Sequence, residues 1–488
     1  MLVRGAAWNQ LSQILPAAAA IVILPRLVHG LGMERFGVLS LAWMLIGYFM
    51  LLDLGTSGAL TRLVSERMAA GRQDEVAPLV WTALAITVGV GIVGAACLAA
   101  LAPWLVGRVL HVPPALRGEA LGLTWVLVAS LPVVTTTAAL SGVLAAQQRF
   151  GVLSAIRVPM GILTYVAPLL VLTFTSSLLA IGLALAGVRL LGGLAHLAAC
   201  LKGVPGLRAG IRVRRAQAGA ILGFGSWMTV SAVVSPLMAY LDRFVIGAML
   251  SLAMVAYYTT SYDLTARFAL LFAPVVSVLF PAFAATYDHD RARTARLYDW
   301  GLRAVAALIY PVVLVCVLFA PEGLDLWLGH DFAAHGATVL RVLALGIFIN
   351  ALAQVALALV QSSGRPDLGA RLHLTELPFY LLAVWLLIRA RGIEGAALAW
   401  TLRVAVDALV LFVMAARRLG PEGRAHRATL ATGLAGLVLL LAGAFVPGLT
   451  ARIAFGAVQA LAFAAIAWRF VINPGRRVLL EARAARGA

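Results

Sequence analysis

Residues Arg26 to Gly71 read RLVHGLGMERFGVLSLAWMLIGYFMLLDLGTSGALTRLVSERMAAG. A first apolar run ends at Arg26, a short polar turn follows at 34–37, and a second apolar run carries Asp53 before a charged loop. Two apolar runs joined by a polar turn are typical of helices that cross a membrane in opposite directions. The stretch therefore predicts a membrane hairpin with an acidic residue embedded in one limb.

The composition extends this interpretation to the whole chain. Hydrophobic residues make up 62% of the 488 residues, and the mean hydropathy is +0.97, which is more apolar surface than a soluble core can bury. Runs of roughly 20 apolar residues, enough to span a bilayer, recur along the chain. They predict an all-α polytopic membrane protein with about 14 transmembrane helices.

The predicted spans are 6–28, 37–60, 78–102, 119–146, 157–175, 178–200, 221–241, 257–283, 301–320, 338–361, 372–388, 393–415, 428–446 and 450–470. Residues 244–256 fit a continuation of the seventh helix, an interfacial segment or a separate span.

The distribution of positive charges along the chain predicts the membrane topology. The net charge is +18, but most of the 38 lysine and arginine residues lie in alternate connections between the apolar runs. Positive residues gather on the cytoplasmic side, so both termini are predicted to be cytoplasmic, and nucleic-acid binding is not predicted. Four arginines near span ends are expected to snorkel to the interface, namely Arg26, Arg157, Arg243 and Arg371.

A weak internal repeat indicates the domain organisation. Residues 26–30 resemble 243–247, and 182–186 resemble 395–399, in the same order along the chain. Repeat units of six spans enter the membrane with the same orientation, as in parallel-repeat transporters. The predicted parts are an N-terminal six-helix lobe at 1–201, a cytoplasmic linker at 202–219, a C-terminal six-helix lobe at 220–416, and two appended helices with a basic tail at 417–488.

Motifs of soluble enzymes are not found. The sequence has no P-loop, dinucleotide fingerprint, HExxH or nucleophile elbow, and no metal site is predicted from its three cysteines. The outside connections, such as Pro103–Gly118 and Pro321–Ala337, are too short to form a catalytic domain. A transporter is therefore favoured over an enzyme, and no catalytic residue is predicted.

Ionisable residues inside the predicted spans are the first candidates for function, because each costs roughly 2.5 to 3.5 kcal/mol at mid-bilayer. Asp263 and Arg267 stand four residues apart in the eighth predicted span, so they are expected to share one helical face. They form either a self-contained ion pair between helices or part of a polar cavity.

Further ionisable residues occur in the sixth, eleventh and twelfth predicted spans. Arg403 and Asp407 repeat the four-residue spacing, and Arg189 occupies the related part of the first repeat. A structural role is favoured for these three, with coupling or gating as the alternative. His373 and Glu376, three residues apart, could form a polar patch.

Asp53 has no acidic or basic neighbour within one turn. It either binds a coupling cation, pairs with an arginine of another span, or reaches the interface from the helix end. Asn9, Gln10 and Gln13 place amides along the first predicted helix, where hydrogen bonds between helices are favoured over a hydroxyl-rich ligand.

Several short motifs together carry a family resemblance. They are Gly5, Trp8 and Asn9, the turn at Gly32, Phe36 and Gly37, the sequence Asp53-Leu54-Gly55 with Arg62 and Ser65 after it, and Leu241-Asp242-Arg243 with Tyr257. With these motifs the chain resembles the polysaccharide-transport flippases of the multidrug/oligosaccharidyl-lipid/polysaccharide exporter superfamily.

The resemblance implies an alternating-access carrier that moves an undecaprenyl-diphosphate-linked oligosaccharide across the bacterial inner membrane. Arginine suits a diphosphate because its guanidinium is a planar fork of donors. The implied diphosphate ligands are Arg267, with Asp263 beside it, Arg26 and Arg62, and the implied sugar ligands are Asn9 and Gln13. No cofactor is expected beyond a coupling H⁺ or Na⁺, and the implied partners are membrane lipid, a polysaccharide polymerase and glycosyltransferases.

Related lipid II flippases use several arginines in the first span, which is sparse in them here between Arg4 and Arg26. This departure favours the broader oligosaccharide group. Two alternatives remain, which are a cation-coupled multidrug exporter of the same superfamily and a membrane glycosyltransferase or polysaccharide polymerase. The two appended spans count against the exporter and the short outside connections against the enzyme.

Overall fold

The computed structural model describes residues 2–49, 56–110, 112–204, 206–214, 217–219, 241–421 and 426–467. These ranges are almost wholly helical and contain no strand. A helix satisfies its own backbone hydrogen bonds, which lipid cannot do, so apolar runs of this length fold as helices. The predicted all-α class is confirmed.

The helices are α1 (Leu2–Leu31), α2 (Met33–Phe49), α3 (Thr56–Ala69), α4 (Val76–Trp104), α5 (Arg117–Ala129), α6 (Leu131–Ala146), α7 (Phe150–Leu172), α8 (Leu178–Gly203), α9 (241–249), α10 (Leu252–Ala266), α11 (Ala269–Thr286), α12 (Arg291–Leu328), α13 (His330–Ser362), α14 (Pro366–Leu419), α15 (His426–Ala444) and α16 (Leu449–Ala467). Short helical turns lie at Gln73–Glu75, Leu105–Val109, Pro114–Leu116 and Leu207–Ala209.

Within the described residues, nine helical segments are long and apolar enough to cross a membrane, and α15 and α16 are shorter apolar helices. The predicted seventh span, 221–241, lies almost entirely outside the described residues. The open assignment of 244–256 is resolved, because α9 ends at residue 249 and α10 begins at Leu252. These residues are shared between two helices and form no separate span.

Several predicted boundaries are corrected. The predicted span 119–146 is divided into α5 and α6 at Ser130, and 257–283 is divided into α10 and α11. The predicted outside connection Pro321–Ala337 is mostly helical, since α12 runs to Leu328 and α13 begins at His330. Gly329, with a φ of 94°, forms the turn between them.

The chain forms two compact units, Met1–Ala256 and Tyr257–Ala488, here called the N-terminal and C-terminal units. In the N-terminal unit α1 packs along α7, and α6 contacts α3, α4 and α8. Gly142 of α6 lies directly against α3, where an added Cβ would be 2.4 Å from the carbonyl oxygen of Ser57. Thr61 bonds both helices, donating to the carbonyls of Ser57 at 2.9 Å and Gly142 at 3.0 Å.

A polar contact joins three helices of the N-terminal unit. Glu119 of α5 accepts a hydrogen bond from Arg35 Nη2 of α2 at 2.9 Å. Its second oxygen accepts from the backbone N–H of Leu178 at 3.1 Å, and so satisfies a free donor at the start of α8. The contact fixes the entry of α8 against α2 and α5.

In the C-terminal unit α13 is central and packs against α11, α12 and α14, while α15 and α16 pack on α12. Gly392 divides α14 into an N-terminal arm, 366–391, and a C-terminal arm, 393–419. Its φ of 60° and ψ of −138° are outside the helical region and suit glycine. The predicted spans 372–388 and 393–415 are these two arms.

Helix α12 bends at Phe319, whose φ is −116°. Pro321 has no N–H, so the carbonyl of Val317 lacks its usual helical donor. Arg341 of α13 donates from Nε to this carbonyl at 2.8 Å, and Arg452 of α16 donates from Nη1 to the next carbonyl at 3.0 Å. Two arginines thus satisfy the carbonyls at the bend, and one of them fastens α16 to α12.

Candidate functional site

The predicted ligands on α1 are spread along the helix. Gln13 and Arg26 are both exposed, and they are separated by roughly 20 Å along the helix axis. The side chain of Asn9 lies outside the described part of the structure. Within α1, therefore, Gln13 and Arg26 do not form one site.

Arg62 lies in α3 and is exposed. Its Nε contacts Glu66 Oε1 at 2.7 Å, an ion pair across one helical turn that partly neutralises the guanidinium. Asp53 is outside the described residues. The substrate role of Arg62 and the coupling role of Asp53 stay predictions.

Asp263 and Arg267 do not share a continuous helix, which corrects the predicted arrangement. Asp263 is exposed in α10, whereas Arg267 is half-buried in the turn before α11. The backbone N–H of Phe268 bonds the carbonyl of Thr265 at 3.0 Å, a tighter pattern than that of an α-helix. Arg267 therefore lies outside the regular part of α10, and its predicted role in binding substrate stays a prediction.

Arg243 was predicted to snorkel at a span end, and this is wrong. Its side chain is only 1% exposed, and it is among the largest fully buried side chains of the described residues. The backbone N–H of Arg243 bonds Asp242 Oδ1 at 2.8 Å. Arg26, Arg157 and Arg371 are exposed, and their predicted snorkelling to the interface stays a prediction.

Arg189 lies on α8 beside the break between α5 and α6. Its Nη1 donates to Ser130 Oγ at 2.6 Å, and the same hydroxyl donates to the carbonyl of Leu127 at 2.6 Å. Its Nη2 is buried and has no hydrogen-bond partner among the described residues. A guanidinium N–H without a partner can donate a hydrogen bond to an anionic or carbonyl oxygen.

Four titratable or charged side chains lie together between the two arms of α14. His373 and Glu376 lie on the N-terminal arm, and Arg403 and Asp407 lie on the C-terminal arm; these four are called the arm cluster. Glu376 and Asp407 are only 8% and 5% exposed. The turn at Gly392 brings the arms together, so the arm cluster combines two pairs that the sequence showed separately.

The contacts inside the arm cluster run between the arms. His373 Nε2 lies 3.7 Å from Asp407 Oδ1, and Arg403 Nη1 lies 3.7 Å from Glu376 Oε2. The guanidinium of Arg403 also lies over the ring of Tyr380, 5.4 Å from its centroid. Both contacts are longer than a hydrogen bond, so the two carboxylates lie close to their partners without being hydrogen-bonded to them.

A second polar group in the C-terminal unit joins α12 to α15. Arg303 Nη2 contacts Asp299 Oδ2 at 2.6 Å, and Arg303 Nε donates to Thr429 Oγ1 at 3.1 Å. Thr429 also bonds Asp299. Sequence reasoning missed this group; the four-residue spacing of Asp299 and Arg303 was a usable signal, but nothing pointed to Thr429.

A cavity of about 480 Å³ adjoins this group, between α12, α13, α15 and α16. Its lining is mostly apolar and includes Leu302, Phe348 and Leu439. At one side Tyr310 donates to Gln459 Oε1 at 2.8 Å. A space of this size, with apolar walls and a few polar groups, is typical of a site for an amphipathic or apolar ligand.

Among the described residues, no group of three or more His, Cys, Asp or Glu residues could hold a metal ion. Cys200 is buried, Cys316 is half-buried, and Cys97 is exposed, and all three are free thiols.

The family model for polysaccharide biosynthesis proteins matches residues 2–287. This chain belongs to that family. A Shigella flexneri protein named as an O-antigen transporter is 25% identical over 413 residues, which cover 84% of this chain and 96% of the relative. A Haloferax volcanii protein named as a low-salt glycan biosynthesis flippase is 23% identical over 195 residues, 40% of this chain and 41% of that protein.

Solved structures share the fold. The lipid II flippase MurJ in an inward closed conformation has a TM-score of 0.73 at 13% identity, covering 96% of this chain and 100% of MurJ. An inward-facing multidrug resistance MATE family transporter has a TM-score of 0.71 at 16% identity, covering 84% of this chain and 95% of that chain. The predicted family and the predicted multi-span transporter fold are confirmed.

Proposed function

We propose that this chain is a flippase that moves an undecaprenyl-diphosphate-linked oligosaccharide, a repeat unit of a surface polysaccharide, across the bacterial inner membrane by alternating access. The similarity to the Shigella flexneri O-antigen transporter carries the proposal, because it covers 96% of that relative. The match to the polysaccharide biosynthesis family supports the same substrate class.

Each unit, taken by itself, contains a feature that suits one part of such a substrate. A polyprenyl chain needs apolar walls, and the cavity between α12, α13, α15 and α16 has them. A diphosphate needs cations with free donors, and Arg189 keeps its Nη2 without a partner among the described residues. The predicted ligands Arg26, Arg62, Arg267, Asn9 and Gln13 remain candidates for the diphosphate and the sugars.

The location and partners belong to the same proposal. The excess of arginine in alternate connections favours cytoplasmic termini. A lipid-linked repeat unit is assembled by glycosyltransferases and consumed by a polymerase, so both are expected partners, together with the surrounding membrane lipid.

Deletion of the gene tests the proposal in cells. Lipid-linked repeat units should accumulate at the cytoplasmic face, and the surface polysaccharide should be lost, with both restored by the intact gene. Normal surface polysaccharide without accumulation, in a strain that has no second flippase of this family, would contradict it.

A multidrug exporter is the second candidate, because the MATE transporter shares the fold. The structure of the lipid II flippase MurJ superposes on 96% of this chain, whereas that of the MATE transporter superposes on 84%. Unchanged drug susceptibility in the deletion strain would argue against export of drugs, and a specific increase in susceptibility would favour it.

A further inference from the structure

We infer that the arm cluster of His373, Glu376, Arg403 and Asp407 is a proton-exchange site, and that it couples transport to proton movement. The coupling to flipping rests on the proposed function, whereas proton binding concerns the arm cluster alone.

The first observation is the lack of hydrogen bonds to the buried acids. Both carboxylate oxygens of Glu376, Oδ1 of Asp407 and Nε of Arg403 are buried without a hydrogen-bond partner among the described residues. An ionised carboxylate can only accept hydrogen bonds. A proton added to either acid converts one of these acceptor oxygens into an O–H donor, and it removes the negative charge of a buried carboxylate that has no hydrogen bond.

The second observation is the balance of charge. Arg403 carries one positive charge, Glu376 and Asp407 carry one negative charge each when ionised, and a neutral His373 adds none. The ionised arm cluster therefore has one excess negative charge. Buried charge is unfavourable unless it is balanced, so one added proton makes the arm cluster neutral. The two carboxylates and the imidazole share this proton as one unit.

Neighbouring elements leave this balance unchanged. Among the described residues, the charged groups that act on Glu376 are Asp407 and Arg403, and those that act on Asp407 are His373 and Arg403. Helix α13 packs against α14, and its titratable and charged residues lie in its N-terminal part; these are His330, Asp331, His335 and Arg341. Helix α12 has few contacts with α14, and its charged residues lie near its two ends; these are Arg291, Arg293, Arg296, Asp299, Arg303, Glu322 and Asp325. Arg291 contacts the far end of the C-terminal arm, where its Nη1 donates to the carbonyl of Arg418 at 3.3 Å.

The chemistry of the arm cluster favours a proton over a sodium ion. Hard cations prefer a shell of oxygen ligands. Here two of the four members are nitrogen groups, and the guanidinium of Arg403 already occupies the position beside Glu376. A second cation would be repelled there, whereas a proton can be taken up by Glu376, Asp407 or His373.

Infrared spectroscopy of the purified protein in lipid nanodiscs tests proton binding without transport. The wild-type spectrum at neutral pH should contain a protonated-carboxyl C=O band that is lost at high pH and lost or shifted in both Glu376→Gln and Asp407→Asn. Asp367→Asn is the matched control, because Asp367 is on the same arm but only half-buried, and it is paired with Arg365 at 2.9 Å. That control should keep the band.

Proteoliposomes loaded with the lipid-linked oligosaccharide test the coupling. An imposed pH gradient should accelerate flipping by wild-type protein and Asp367→Asn, and Glu376→Gln should lose this acceleration. A sodium gradient of equal size should have no effect on any of the three.

The outcomes separate the two proposals. A carboxyl band that is absent from the wild type, or unchanged in both arm-cluster variants, overturns the proton site. Flipping that responds to sodium and not to pH overturns the coupling. A band that behaves as expected in a wild-type protein that flips nothing supports the proton site and contradicts the flippase. Size-exclusion profiles identify misfolded variants, and His373→Gln then replaces an acid variant that does not fold.

Discussion

Arg267 is the predicted diphosphate ligand whose position the structure changes most. The residue lies half-buried in the turn between α10 and α11, whereas the sequence predicted it inside one continuous helix with Asp263. Guanidinium groups bind phosphate oxygens through charge-assisted hydrogen bonds. A guanidinium at this turn therefore has the chemistry that a diphosphate ligand requires.

Arg267→Ala should lower flipping roughly 10-fold or more, because a hydrogen bond to a charged group contributes about 1.5–3 kcal/mol. Membrane abundance should stay unchanged. The measurement is the flipping rate in proteoliposomes, with immunoblots of membranes for abundance. Arg371→Ala, the exposed arginine paired with Asp367 at 3.6 Å, is the control and should flip normally. Normal flipping by Arg267→Ala would assign that residue a structural role.

Arg452 is a residue whose structural role is clear. Its Nη1 donates to the carbonyl of Leu318 at 3.0 Å and contacts Glu322 at 2.9 Å, and so it closes the bend of α12 from α16. Arg452→Ala should lower the free energy of unfolding by about 1.5–3 kcal/mol, since a buried carbonyl loses its donor.

The thermal midpoint of the purified variant checks this value. The control is Arg417→Ala, an exposed arginine near the end of α14, which should leave the midpoint unchanged. Equal midpoints for both variants would mean that water replaces Arg452 at the bend.

Residue spacing predicted part of the arm cluster. Arg403 and Asp407 were visible as a pair in one span, and His373 and Glu376 as a pair in another, because three- and four-residue spacings share a helical face. That the two pairs face each other depends on the turn at Gly392 and on the packing of the arms. Contacts of this kind depend on tertiary structure, and spacing within one helix carries no information about them.

At the scale of elements, the crossing of α3 and α6 depends on close backbone approach. Small residues permit such contact between membrane helices, where lipid offers no hydrophobic driving force. Gly142→Ala would place a Cβ 2.4 Å from the carbonyl oxygen of Ser57. The variant should lose about 1–3 kcal/mol of stability, because α3 must shift away.

Gly187→Ala is the matched control, since an added Cβ in α8 would meet nothing within 4 Å. This control should be neutral or slightly stabilising, because alanine favours helix by about 1 kcal/mol over glycine. Thermal midpoints of the two variants compare them directly. A Gly142→Ala variant as stable as Gly187→Ala would show that the α3 and α6 contact is loose.

The sequence predicted where helices occur better than it predicted where each helix begins and ends. Apolar runs located the helices, but the breaks at Ser130 and at Arg267 fall inside runs that look continuous. The break at Ser130 has a local cause, because its hydroxyl bonds the carbonyl of Leu127 and Pro132 follows two residues later. Such breaks leave the hydropathy of a run unchanged, so a count of apolar residues does not detect them.

At the scale of the whole molecule, hydropathy was sufficient to predict the class of protein. The topology predicted from the distribution of arginine stays a prediction. The structure adds the division at residues 256 and 257, which differs from the predicted boundary at 219 and 220. Residues 220–240 lie outside the described ranges, so the predicted linker and lobe boundaries stay predictions.

The topology is tested by reporter fusions. Alkaline phosphatase fused after residue 488 should be inactive, and a fluorescent protein at the same position should fluoresce, because both termini are proposed to be cytoplasmic. Insertion of the phosphatase at Gly448, in the turn between α15 and α16, should give activity. The reverse pattern would invert the proposed orientation.

The most direct measurement of the proposed function is flipping by the purified protein. Proteoliposomes are prepared with a fluorescent undecaprenyl-diphosphate oligosaccharide in the inner leaflet, and its exposure to an external glycosidase is followed over time. The wild-type protein should expose the oligosaccharide faster than protein-free liposomes, and a multidrug substrate of MATE transporters should not compete. Exposure at the rate of protein-free liposomes, with correctly folded protein under both pH and sodium gradients, would contradict the assignment as a flippase.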